Sequence, residues 1–323
     1  MARKKFSTQP TKSGGGIVSN QHVVKTVGGG SMIVVAQPLR VKKGEKDPEI
    51  KDAKRRILNR LPTQEGKVRT LMLNGIQKAE VVFMKYDNKR NRTTSALRPP
   101  DKTALARDLE RVVRSTVREA RDQILDNLEG SVKTYLIGLR RGLRNKEDLP
   151  MSTINQLARR KALQVYNQPS GKSGMNTAQR LAGVGARMES ELGKFLDVGM
   201  LKRIKQRPKL KRSLVDPKGA NRACVAKQIA RINRTEQNRA MHSATLEAMR
   251  SVGVDLFYWR LSASHKDYGG NEICEVLSVS TGGDVESSLP PNSTVSLIGL
   301  YTSASVPDLP HPNCMCSLEP ILV

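Results

Sequence analysis

The chain has 323 residues, with 56 Lys+Arg against 30 Asp+Glu, a formal charge of +26 and a sequence pI near 10.3, far outside the balance of an ordinary soluble enzyme. At 37% hydrophobic and 27% charged it can bury a core, which excludes a wholly disordered chain. No window approaches the roughly eighteen consecutive apolar residues of a membrane span, and the basic start at Met1–Pro10 lacks the apolar segment of a secretory signal. These features predict a protein of the cytosol, or of a particle assembled there, with no membrane partner.

Residues 1–47 are rich in Lys, Gly and Ser, and their β-branched runs are short (Val23-Val24 and Ile33 to Ala36). They read as a flexible basic arm with a weak hairpin around the glycines. The pattern turns helical from Pro48 to Arg60, and again from Pro62 to Tyr86, where Leu71, Met72, Ile76, Ala79, Val82 and Phe83 share a face. Residues 87–100 read as a linker. Asp101 stands where an N-cap belongs, ahead of Leu105, Leu109, Val112, Thr116, Ala120, Ile124 and Leu128 at steps of three and four, a long amphipathic helix. Pro150 stops that run, and further helices are predicted at about 152–167 and 176–198. Asp216-Pro217 pairs a cap with a proline at the first helical position and opens a helix to about Ser251. Beyond it the period becomes two, predicting strands at 255–262, 275–280, 295–302 and 316–322. The predicted fold class is α+β: a mostly helical basic N-terminal body over 48–215, and a small α+β C-terminal module over 216–323 formed by a long helix and a small sheet.

Charge follows the same division. Residues 251–323 hold two basic groups, Arg260 and Lys266, against eight acidic ones, and the first 250 residues carry 54 basic against 22 acidic, a net +32. Five of the aromatics (Phe257, Tyr258, Trp259, Tyr268 and Tyr301) lie beyond residue 251 as well. Such a split predicts a long zone that faces a polyanion and a short one that faces protein. Residues 202–212 place Lys202, Arg203, Lys205, Arg207, Lys209, Lys211 and Arg212 in eleven positions with no acid among them. Phosphate contacts of that kind release counterions and need no base edges. With few aromatics to stack on unpaired bases, duplex DNA fits this body better than a single strand.

No catalytic assignment is supported. Gly171-Lys172-Ser173 lacks the glycine that a phosphate-binding loop needs five positions earlier, where Tyr166 stands. There is no H-E-x-x-H helix, G-x-S-x-G elbow or dinucleotide fingerprint, and the cysteines come as C-x-C without the H-x-E of nucleobase deaminases. The chemistry-bearing cluster is His311-Pro312-Asn313-Cys314-Met315-Cys316, with Cys274 and His265 on the preceding stretch. Cys274, His311, Cys314 and Cys316 form a candidate structural zinc set, since thiolates two apart on an extended segment share a face. A disulfide from Cys274 to one of the pair, and plain buried thiols, are the competing readings. Cys224 reads as core, and His22 and His242 as bystanders. On the long helix Val225, Ile229, Ile232, Glu236, Arg239, Ser243 and Leu246 lie on one stripe. Glu236 and Arg239, three apart, either pair within an apolar face or mark a section turned to water.

Residues 226–320 resemble the C-terminal module of the Mu-type phage head morphogenesis (minor head) proteins. The residues that carry this are Arg234-Thr235-Glu236, Trp259, His265-Lys266-Asp267, Cys274 and the closing His311-Pro312-Asn313-Cys314-x-Cys316. The family's usual C-x-x-C is incomplete here, with Asn271 at its first cysteine and His265 as the substitute ligand, and Met315 stands at the usual arginine. The resemblance implies a non-enzymatic minor capsid protein of a tailed-phage virion, lying in the head interior or at the portal vertex and in the host cytoplasm during assembly. Its implied partners are the portal protein or major capsid protein. The rival reading is a non-viral nucleic-acid-binding protein with a zinc-stabilised C-terminal domain.

Overall fold

The computed structural model describes residues 24–25, 31–32, 48–87, 89, 97–169, 174–194, 214–215, 224–261, 273–282, 285, 297–307 and 316–321. The chain divides into a small unit, residues 1–45 with 290–296, and a large one, residues 46–289 with 297–323. The described part of the small unit is an antiparallel pair, β1 (Val24–Lys25) and β2 (Ser31–Met32), with Val24 opposite Met32.

The large unit is mostly helical with a small three-stranded antiparallel sheet near the C-terminus, the predicted fold class. Its helices are α1 (Pro48–Asp87), α2 (Pro99–Gly142), α3 (Met151–Asn167), α4 (Thr177–Gly193), α5 (Val225–Ser251) and the short α6 (Ile273–Val279). The sheet is ordered β4-β3-β5, from β3 (Leu256–Arg260), β4 (Leu300–Thr302) and β5 (Ser317–Pro320). Among the described residues no helix is long and apolar enough to cross a membrane.

Three elements differ from the sequence prediction. The first helix is not broken at Pro62: α1 runs unbroken for 40 residues. Ile57, Leu61, Val68, Met72, Ile76, Ala79 and Phe83 are all buried along it, on both sides of the proline. Each large apolar side chain buried contributes roughly 1.5–3 kcal/mol, so two of them match the roughly 3 kcal/mol that a mid-helix proline costs. Helix α2 starts earlier than Asp101. Arg98 is the N-cap and Pro99 and Pro100 take the first helical positions, where the missing N–H is no loss. Asp101 falls in the first turn, where its charge suits the positive end of the helix. The predicted strand at 275–280 is helix α6. Cys274 is buried and Leu277, three positions on, packs against the core, while the β-branched Val276 and Val279 that suggested a strand are exposed.

Helices α1 and α2 form an antiparallel hairpin. Ion pairs Lys89–Asp101 (3.0 Å), Lys85–Asp108 (3.2 Å) and Lys78–Glu119 (2.7 Å) step along it, with α1 numbers falling as α2 numbers rise. The Thr116 side chain packs directly on the α1 backbone at Gly75, where a Cβ would sit 2.8 Å from Thr116 Oγ1. Helix α4 opens on a capping box: Asn176 accepts from the Gln179 N–H at 2.8 Å, and the Gln179 side chain accepts from the Asn176 N–H at 2.9 Å.

In the sheet, Trp259 of β3 faces Leu318 of β5 and Tyr258 faces Leu300 of β4. The outer edge of β5 turns its carbonyls to helix side chains. The buried Tyr135 hydroxyl of α2 donates to Leu318 O at 2.8 Å. From α5, Asn238 Nδ2 donates to Cys316 O at 2.8 Å, and His242 Nε2 lies 2.9 Å from the same oxygen. Pro320 suits this edge strand, since it has no N–H to present. Burial, reinforced by the Glu319 charge, pushes the Tyr135 phenol far up, so it stays a donor at any ordinary pH. Tyr135→Phe leaves Leu318 O buried without its donor, and urea unfolding should show a loss of about 1–3 kcal/mol. An unchanged midpoint would mean that this edge is not anchored by the hydroxyl.

Candidate functional site

Helix α5 crosses the core and is buried nearly all round, yet Asn233, Thr235, Glu236, Gln237, Asn238, His242 and Thr245 on it are buried polar side chains. A buried polar group costs free energy unless it is paired, and most of these reach a different element. Asn233 accepts from Asn127 of α2 at 3.1 Å. Gln237 donates to Gln64 of α1 at 2.8 Å. Asn238 and His242 hold β5, as above. His242 also sets its ring edge-on to Trp259, with centroids 5.5 Å apart. At the far end Glu247 meets Lys161 (2.9 Å) and Arg160 of α3, and Arg250 donates to Ser303 O at 2.6 Å beyond β4.

At the centre of this seam is Glu236, with 0% exposure. Its Oε1 accepts from Arg180 of α4 at 2.8 Å and its Oε2 from Arg239 at 2.6 Å, and Arg239 also reaches Pro169 O at 3.4 Å. Of the two alternatives for the α5 stripe, the pair within an apolar face is the one observed. The second arginine, from another helix, carries no local sequence signal. The two guanidiniums keep side-chain exposures of 19% and 22%, so their outer faces touch solvent while the carboxylate does not. With both oxygens of the carboxylate taken by guanidiniums, one of them from α4, the cluster ties α4 to α5.

His242 corrects the bystander reading: it is buried against Trp259 and β5. A histidine eight positions after Arg234 is silent in local pattern, because its partner strand lies over seventy residues on. Cys224, read as core, is buried, and so are Cys274 and Cys316, both within the apolar core cluster. The other proposed ligands, His265, His311 and Cys314, lie outside the described residues. Among the described residues no group of three or more His, Cys, Asp or Glu side chains could hold a metal. The helix opening predicted at Asp216-Pro217 is also outside them. Helix α5 is described from Val225, with Cys224 as N-cap.

The cationic run Lys202, Arg203, Lys205, Arg207, Lys209, Lys211 and Arg212 lies outside the described residues too. Its flanks do not: Leu192 at the end of α4 and Leu214 and Val215 just past the run are buried in the core. Much of the chain's excess charge lies outside the residue ranges of the helices named above. Residues 1–47 carry nine basic against two acidic groups, residues 88–98 four against none, and residues 194–215 eight against one. Helix α2 by contrast carries nine against seven, and three of its acids, Asp101, Asp108 and Glu119, pair with Lys89, Lys85 and Lys78 on the α1 side.

Comparison with protein families, curated proteins and solved structures finds no match for this chain.

The ion pairs have measurable consequences for stability. Glu236→Ala strands two partly buried guanidiniums and should cost about 3–5 kcal/mol in denaturant unfolding; a loss below about 1 kcal/mol would show the clamp to be idle. Asp108 is held below the usual aspartate range, first by the Tyr86 hydroxyl that donates to it at 2.8 Å and then by Lys85 and Arg111. For Glu247 burial pulls upward, but the Lys161 hydrogen bond and the Lys161 and Arg160 charges outweigh it and lower the group. Both carboxylates therefore stabilise the fold fully above the ordinary carboxylate range, and that contribution fades as pH falls through their depressed folded values. Tyr86→Phe should shrink the difference in unfolding free energy between about pH 6 and pH 3. An equal pH dependence in the variant would contradict the assignment.

Proposed function

We propose that this chain is a structural minor head protein of a tailed bacteriophage, of the Mu-type head morphogenesis kind. In this reading the C-terminal module docks on the portal protein or the inner face of the major capsid shell, and the basic helical body lies against packaged double-stranded DNA. The observation that carries the reading is the charge partition, +32 over the first 250 residues against −6 over the remainder. A chain so unbalanced repels itself unless a polyanion supplies the counter-charge, and packaged DNA is the densest one available to a virion protein. The resemblance of residues 226–320 supports the docking half, and its Arg234-Thr235-Glu236 and Trp259 positions fall on the α5 seam and the sheet it holds. The role is non-catalytic: the buried carboxylate is spent on two arginines.

A structural zinc belongs to the same proposal. Cys274, His311, Cys314 and Cys316 would be its ligands, with His265 as substitute, and support comes from the burial of Cys274 and Cys316 in one core cluster. Metal analysis decides this. Purified protein should carry about one equivalent of zinc, lost in Cys314→Ser, whereas none to begin with, or unchanged content in the variant, removes the metal.

Imaging of a particle that contains this chain tests the main proposal. A few copies at the portal vertex or inside the head are expected. Absence from particles, with the protein free in cells that harbour no virus, would overturn it in favour of a non-viral nucleic-acid-binding role. Retention on duplex DNA should fall steeply with salt, and a flat response would rule out phosphate contact by the basic body.

A further inference from the structure

We propose that the outward face of α2 is a docking rail for the phosphate backbone of duplex DNA, formed by Arg107, Arg111, Arg114, Arg118 and Arg121. This rests on the DNA-contacting reading above and names a surface for it apart from the 202–212 run.

The five arginines recur at steps of four, three, four and three, the spacing of a single line along a helix. All five are exposed, Arg111 and Arg114 at 72% and 76% of their side-chain surface. The line lies opposite the stripe that α2 buries, Leu105, Leu109, Val113, Thr116, Ala120 and Ile124. Acids do flank it: Asp108 meets Arg111 at 3.1 Å, Glu110 meets Arg114, and Asp122 meets Arg121 at 2.7 Å. Asp108 is shared with Lys85 of α1, and Arg107 and Arg118 have no ion pair among the described residues. Exposed pairs of this type are worth about 0–1 kcal/mol and exchange readily for a phosphate, which takes a guanidinium through two parallel hydrogen bonds.

The dimensions agree with one DNA strand. The fourteen helical steps from Arg107 to Arg121 span about 21 Å. One strand of a duplex carries a phosphate about every 3.4 Å along its axis, so the rail faces roughly six phosphates with five guanidiniums. A protein partner fits this face less well. Protein interfaces depend on apolar or aromatic anchors at their centre, and among the described residues the large exposed hydrophobic side chains lie on α1, α3, α6 and the connections, none on α2. With no aromatic on the rail to stack a base, the fit is to duplex backbone.

The test is salt-dependent binding of the full chain to a random-sequence duplex. Replacing all five arginines with Gln should lower the slope of log affinity against log salt by about 4.5, or 0.9 for each phosphate no longer neutralised. The partial variants R107Q/R111Q and R114Q/R118Q/R121Q should lower it by about 1.8 and 2.7, which keeps the test readable if the fivefold variant fails to fold, and five Arg→Lys changes should preserve it. An unchanged slope in folded Gln variants, with a slope that collapses when the seven cations of 202–212 become Gln, would overturn the rail and leave the DNA reading standing. A wild-type chain with no salt-dependent duplex binding would overturn both. Loss of binding to polyglutamate, with duplex binding intact, would assign the rail to an acidic protein and overturn the proposal.

Discussion

The fold depends on how one helix is held. Helix α5 lies inside the core and sends polar side chains to α1, α2, α3, α4, β5 and the turn beyond β4. An apolar helix in that position would gain similar burial but would slide or rotate at small cost, because hydrophobic contact has no direction. A buried amide or carboxylate that must find its partner penalises every other register by the cost of an unpaired group. The Glu236 clamp is the strictest of these constraints, since it fixes α4 against α5 through a carboxylate that water cannot reach.

Through the same helix the acidic C-terminal segment joins the basic helices. Asn238 and His242 hold the Cys316 carbonyl just before β5 and Tyr135 holds the Leu318 carbonyl within it, so side chains from α5 and α2 line the free edge of the sheet. On the other side, residues 280–282 run along β4, with Gly282 N–H donating to Leu300 O at 2.9 Å and Gly299 N–H to Ser280 O at 2.9 Å. Gly299 adopts a left-handed φ of 73° there, and Ser278 O stands 2.6 Å from where its Cβ would be, a position that no other residue fills without strain. A protein docking on this module would therefore bear on a scaffold rigidly tied to the surface that the proposal gives to DNA.

Periodicity made most of the helices legible in advance. The α2 stripe is buried as read except at Val112, which is partly buried while its neighbour Val113 is the one in the core, and α3 begins within a residue of its prediction. Pro62 misled because its local penalty is visible in sequence, whereas the tertiary burial that outweighs it is not. Residues 273–279 misled because Val276 and Val279 have strand propensity, and only the burial of Cys274 and the packing of the partly buried Leu277 against the core show the helical period. Long-range pairs were illegible for a plainer reason: Glu236 and Arg180 stand 56 positions apart, and Tyr135 and Leu318 stand 183 apart. The arginine line on α2 is visible in the sequence as a spacing, but its meaning needs the opposite face to be shown buried. Of the candidate metal ligands, Cys274 and Cys316 are in the core, and the proposed DNA run is known only by its buried flanks.

Trp259, the single tryptophan of the chain, lies buried in β3 against His242. Its fluorescence reports the sheet, while far-ultraviolet circular dichroism reports the helices. Equilibrium unfolding in urea followed by both signals tests whether α5 binds the two into one cooperative structure. Coincident transitions with one midpoint are expected. Loss of the Trp259 signal at lower urea, with helical dichroism unchanged, would contradict that coupling.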